Sequence, residues 1–226
     1  MIHVHHLEKS RSHRILWLLE ALELDYELVV YQRDERDGKT QQAPDSLKKI
    51  HPLGKSPVIT DGDFTVAESG AIIDYLVQRY GQGRCQPPIG DMSAWVDYRY
   101  WLHYAEGSLM PLLVMQLVFS QIPKQSPWLI KPLAKGISDT VSKRFLAPQL
   151  KQHLNFINQH LLAQGNFAGP WPSGADIQMS FPLQAMAAVQ SLEKYPAIAA
   201  FVSRIEKDAA WQRVVERAGP LTMPGQ

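Results

Sequence analysis

Three short segments bring hydroxyl and carboxylate groups to places where the chain changes direction. Ser10 and Ser12 stand in "EKSRSHR", between a strand-like run and a helix-like run. A helix N-terminus offers free amides and the positive end of its dipole, so a ligand thiolate held there would be stabilised. A serine hydroxyl beside it could donate to the sulfur. Local sequence favours plain capping for Ser12 and leaves Ser10 open between cap and donor. Glu68 and Ser69 stand in "AESG", where another strand hands over to a helix. With neighbouring amides they suit a zwitterionic head group: the carboxylate accepts from an ammonium, while amide and hydroxyl donate to a carboxylate. A helix cap with an acidic neighbour is the simpler account of that segment alone. In "GKSPVIT" a cis Pro57 would expose the backbone of Ser56 to a ligand; most X–Pro bonds are trans, and the pattern does not choose.

Other residues point away from chemistry. Cys85 is the single cysteine, which rules out an intrachain disulfide and a cysteine-rich metal site. The histidines of "HVHH" alternate along a strand with no acidic cluster to match, so no metal is expected. Ser173 and Asp176 in "SGADIQM" form a capping box, with Asp in place of the usual Glu. No G-x-G-x-x-G, Walker A or G-x-S-x-G motif occurs. The 226 residues carry 23 basic and 22 acidic side chains, a balance that gives no sign of a nucleic-acid partner. No uninterrupted apolar run has the length of a membrane span, and the start lacks a signal-peptide pattern. A cytoplasmic location, with no membrane association, is the expectation.

The elements that must position these residues are legible from periodicity. "IHVHHL" reads as a strand. Ile15, Leu18, Leu19 and Leu22 then fall on one helical stripe, and "YELVVYQ" reads as a strand again. "PDSLKKIHP" is a short helix; "SPVIT" and "FTVAE" are strands around the hairpin turn "DGD"; "SGAIIDYLVQRYG" is a helix stopped at Gly81. After a Gly/Pro-rich stretch the strand signals end. Helices are expected from Met92 with a bend near Pro111, from Ser138 with a bend at Pro148, and over three further segments. The fold class is α/β followed by all-α. The expected domains are 1–82 and 92–226, joined by a linker at 83–91.

Taken together, "HPLGKSPVI", "AESGAIIDYL", "YAEGSL", "SGADIQMSFPL" and "YPAIAAFVSRI" resemble the glutathione transferases, over nearly the whole chain. The likeness is strongest to the yeast-type branch and its bacterial relatives. The resemblance implies a thioredoxin-like first domain, and glutathione as co-substrate with no metal. It implies a cis Pro57 whose Ser56 backbone pairs with the cysteinyl part of glutathione. Glu68 and Ser69 would hold the γ-glutamyl end, Lys55 would lie near the glycyl carboxylate, and His51 would add a contact. Ser10 falls where relatives carry the thiol-activating Ser or Tyr, ranked ahead of Arg11 and then Ser12. Cys85 lies too far along the chain to act in a mixed-disulfide mechanism. The second substrate, a small hydrophobic electrophile, is expected near Tyr104, Ser108 and Leu112. The resemblance further implies a homodimer. A non-catalytic binding protein of the same fold, or a glutathione-dependent isomerase or dehalogenase, are the rival readings.

Overall fold

The computed structural model describes residues 1–33 and 43–222. Most of the polar loop expected at 33–44 lies outside the described residues. The first unit contains β1 (Ile2–Leu7), α1 (His13–Ala21), β2 (Tyr26–Tyr31), α2 (Asp45–Lys48), β3 (Val58–Asp61), β4 (Phe64–Ala67) and α3 (Ser69–Tyr80). The sheet order is β2-β1-β3-β4, with β1 parallel to β2 and the other pairs antiparallel. The right-hand half is a hairpin in which Asp61 pairs with Phe64. Gly62 opens its two-residue turn at φ +59°, a conformation that glycine adopts without steric cost.

The expected stripe on α1 is real, yet its neighbours are buried too. Ile15, Leu16, Trp17, Leu18 and Leu19 are all inaccessible to solvent. Helix α1 packs beside α3 and against the helical unit through α8 (Gly174–Val189) and α10 (Ala209–Ala218), and shares a core with Ile2, Val4 and Ile59 of the sheet. A helix covered all round must be apolar all round. Gly174, the first residue of α8, is fixed by this packing: an added Cβ would lie 2.7 Å from Ile73 Cγ2 and would strike Tyr98 Oη. The capping box at Ser173 and Asp176 is present, and Asp176 also accepts from the Phe167 amide at 2.7 Å.

The helical unit runs α4 (Met92–Tyr104), α5 (Met110–Gln125), α6 (Lys131–Val141), α7 (Ala147–Gln164), α8, α9 (Pro196–Lys207) and α10. The second long helix begins earlier than expected, at Lys131, because "KPLAKGI" opens with proline at a helix N-terminus and continues with few breakers. The bends expected at Pro111 and Pro148 take a definite form. A π-helical turn precedes each one, over Ala105–Leu109 and Ser142–Leu146. A helical proline ring collides with the carbonyl four residues back. Those carbonyls belong to Gly107 and Arg144, both inside the widened turns.

Candidate active site

Ser10 lies in the loop between β1 and α1 and is buried. Arg33, just past β2, holds that loop by donating to the carbonyls of Glu8 and Lys9, each at 3.0 Å. Ser12 occupies the N-cap position of α1 but makes no side-chain cap. Its hydroxyl is instead 2.7 Å from Ser10 Oγ and 2.7 Å from His6 Nδ1. Across the groove, Ser56 Oγ donates to the His5 carbonyl at 3.0 Å and accepts from the Leu7 amide at 3.3 Å. Ser10 Oγ donates to Ser56 Oγ at 3.4 Å.

Proton counting assigns a direction to this chain. A serine hydroxyl has one proton to give. Ser56 spends its proton on His5, and Ser10 spends its own on Ser56. The Ser10–Ser12 bond must therefore use the Ser12 proton, which leaves Ser12 Oγ to accept from His6 Nδ1–H. Burial, and secondarily His13, pushes the His6 pKa down to about 4. His6 is thus neutral at pH 7 and carries its proton on Nδ1. Every bond points outward, from His6 through Ser12 to Ser10, so Ser10 is held as a donor facing the groove.

The groove has two connected parts that share Arg11, Leu53, Lys55 and Ser56. The smaller, about 120 Å³, is lined by His51, Lys55, Ser56, Pro57, Glu68, Ser69, Arg11 and Glu106. All six residues expected from sequence to bind glutathione therefore converge on one cavity, and the Ser56–Pro57 bond is cis. Glu68 occupies the N-cap position of α3 at φ +69°, ψ +120°, a conformation uncommon for a residue with a side chain. Non-glycine residues held in such regions concentrate at ligand clamps and cost on the order of 1–3 kcal/mol. Ser69 begins α3, so the first amides of that helix open beside it.

Charge in this cavity is mixed. Glu106 pairs with Arg11 at 3.4 Å and more closely with Arg14, whose guanidinium also donates to the Gln178 carbonyl at 2.8 Å. Arg14 is fully buried; burial pulls its pKa down, and Glu106 beside it pulls the other way. Arg11 and Lys55 thus share the cavity wall with two carboxylates, Glu68 and Glu106, while the buried Arg14 backs Glu106 from the interior. A ligand bearing charge of both signs fits such a wall better than a simple anion does.

The larger cavity, about 830 Å³, is lined by Ser10 and Arg11 on one side and by Met110, Leu113, Val114, Leu117, Phe181 and Ala185 on the other. Tyr104, Ser108 and Leu112, expected to line this part, line neither cavity. Tyr104 is turned toward α7, where its hydroxyl bonds His153, and Leu112 is in the core. Ser108 lies within the π turn, and the lining that α5 gives the larger cavity begins at Met110 instead. Cys85 is buried, with its thiol pushed up to about 12 chiefly by desolvation. The signals missed in sequence were His6, taken only as an alternating strand residue, and Glu106, whose partners Arg11 and Arg14 lie more than 90 positions away.

A thioredoxin-like α/β unit joined to a helical unit, with a polar cleft opening onto an apolar one, defines the class of protein. A model of the glutathione S-transferase N-terminal domain matches residues 1–78. The chain is 35% identical over 238 residues to glutathione S-transferase 1 of Saccharomyces cerevisiae, covering 98% of this chain and 97% of that one. It is 36% identical over 183 residues to glutathione S-transferase 3 of Schizosaccharomyces pombe, covering 81% and 73% of the two chains. A glutathione S-transferase crystal structure from Actinobacillus pleuropneumoniae matches with a TM-score of 0.78 at 32% identity, covering 100% of this chain and 97% of that one. The chain belongs to the glutathione S-transferase family.

Proposed function

We propose that this chain is a catalytically active glutathione transferase, which binds glutathione in the smaller cavity and presents its sulfur as thiolate at Ser10. The directed chain His6–Ser12–Ser10 carries this reading: it leaves one hydroxyl proton free to turn from Ser56 to a sulfur. Glu68 accepts from the γ-glutamyl ammonium. Ser69 and the first amides of α3 take the adjoining carboxylate. The Ser56 backbone pairs with the cysteinyl unit, and Lys55 and His51 face the glycyl carboxylate. A free thiol of this kind has a pKa of about 8.5 and is mostly protonated at neutral pH. The Ser10 donor and the α1 terminus shift it toward thiolate, with Arg11 adding positive field.

The thiolate then attacks an electrophilic carbon. The new C–S bond forms as the leaving group departs, and the thiol proton goes to water. Attack on a hydroperoxide oxygen is the alternative use of the same nucleophile. The acceptor is a small hydrophobic molecule lying on the wall of Met110, Leu113, Val114, Leu117 and Phe181. The working form is a cytoplasmic homodimer. Retention on immobilised glutathione, followed by a panel of conjugation, peroxidase and isomerase substrates, tests the reading. Failure to be retained overturns it, and retention without turnover leaves a binding protein.

A further inference from the structure

The turn joining α5 to α6 ends in apolar side chains that face water. Trp128 is 84% exposed and Leu129 72%, and Leu133, one turn into α6, is 67% exposed. Ile122, Ile130 and Ile137 are exposed around them. These residues cap the end of a helical hairpin, and none of them lines either cavity. Charge is sorted in the same region. Between Ser120 and Val141, the segment that forms the tip, the sequence has three basic residues, Lys124, Lys131 and Lys135, against the single acidic residue Asp139. Asp139 is already engaged by Lys135 at 2.9 Å. The chain as a whole is close to neutral, so this concentration of positive charge is local.

We propose that this hairpin tip is a peripheral docking site for a lipid bilayer carrying anionic head groups. Tryptophan flanked by leucine and isoleucine suits the boundary between head groups and acyl chains. Lys124 and Lys131 flank the apex in sequence, so their stems can lie along the apolar surface while their ammonium groups reach lipid phosphates. Basic residues at such a surface are attracted to anionic lipid and little to a neutral one. The helical run Met92–Gln125 is long and apolar enough to cross a membrane. Its Trp101, Leu109 and Leu112 are committed to the protein core, however, so docking is by the tip alone. This site is remote from the glutathione reading and stands or falls independently of it.

The test is co-sedimentation of the full chain with vesicles of phosphatidylcholine, alone or mixed with phosphatidylserine. The expected result is partitioning onto the mixed vesicles about tenfold or more above the neutral ones. The triple variant Trp128→Ser, Leu129→Ser, Ile130→Ser lowers it by at least about tenfold. Lys124→Gln and Lys131→Gln each lower it on the order of fivefold, as does added salt in their place. All these positions are exposed, so unchanged thermal melting of the variants checks their folding. The proposal is overturned by absence of partitioning, by equal partitioning on both vesicles, or by a triple variant that still binds. It is also overturned if the triple variant converts an oligomer to a monomer while the wild type ignores vesicles, since the tip would then belong to a second copy of the chain.

Discussion

Replacing Ser10 with alanine removes the one proton that the hydrogen-bond chain leaves for the sulfur. The loss can be sized from the geometry. The bond given up in the free protein, Ser10 to Ser56 at 3.4 Å, is long and weak. The bond gained on the thiolate is charge-assisted, worth roughly 1.5–3 kcal/mol. Nearly all of that difference favours the ionised form, so the thiol pKa of bound glutathione should rise by about 1–2 units. Titration of thiolate ultraviolet absorbance in the complex reads this directly. The acidic limb of kcat/KM should move upward by the same amount, with about 10- to 100-fold lower activity below it. Ser12→Ala keeps the Ser10 proton but removes the donor behind it, and should give a fraction of the shift. A Ser10→Ala complex of wild-type affinity with a thiol pKa within about 0.3 unit, roughly 0.4 kcal/mol, would refute the assignment. Arg11→Ala would then be the variant to shift it.

Four further outcomes are expected. Glu68→Ala and Ser69→Ala should each weaken glutathione binding by about tenfold or more in calorimetry, since each removes a charge-assisted partner; unchanged affinity removes the head-group assignment. Glu68→Gly should also lose affinity, yet raise stability by about 1 kcal/mol in urea unfolding, because glycine accepts φ +69° freely. His6 has a folded pKa of about 4 against an ordinary 6.5, so its contribution is complete above 6.5 and is lost as pH falls through 4. The loss is roughly 3 kcal/mol, and His6→Asn should flatten that part of the stability profile; parallel profiles would refute it. Asp176→Ala should cost about 3 kcal/mol or more in urea unfolding, because it orphans the buried amides of Phe167 and Ser173 together.

The parts of this molecule legible in its sequence are those that rest on local pattern. The strand-helix-strand opening, the Asp61–Phe64 hairpin and the capping box at Ser173 are each written within a few residues. The gathering of Lys55, Ser56, Glu68 and Ser69 came from the order of motifs rather than from any one of them, since each has an ordinary local explanation. Contacts between distant segments were not legible. Nothing in "HVHH" reveals that His6 orients Ser12. Nothing near Glu106 reveals that two arginines from α1 and the loop before it will meet it. Tyr104, Ser108 and Leu112 do not line the larger cavity, because which stripe of the long helical run faces inward depends on packing and on a π turn between Ala105 and Leu109 that local pattern does not announce.

That turn has a consequence for how the family can vary. A π turn is an α-helix holding one residue too many. Deletion of one residue from Ala105–Leu109 would restore the regular ladder and rotate α5 by about 100° relative to α4. Met110, Leu113, Val114 and Leu117 would then swing away from the cavity and an adjacent stripe would replace them; the loop carrying Ser10 would stay in place, while Glu106, inside the turn, would shift against Arg11 and Arg14. One codon gained or lost would thus exchange the whole α5 lining of the larger cavity in a single evolutionary step, with the loop that carries Ser10 left as it is.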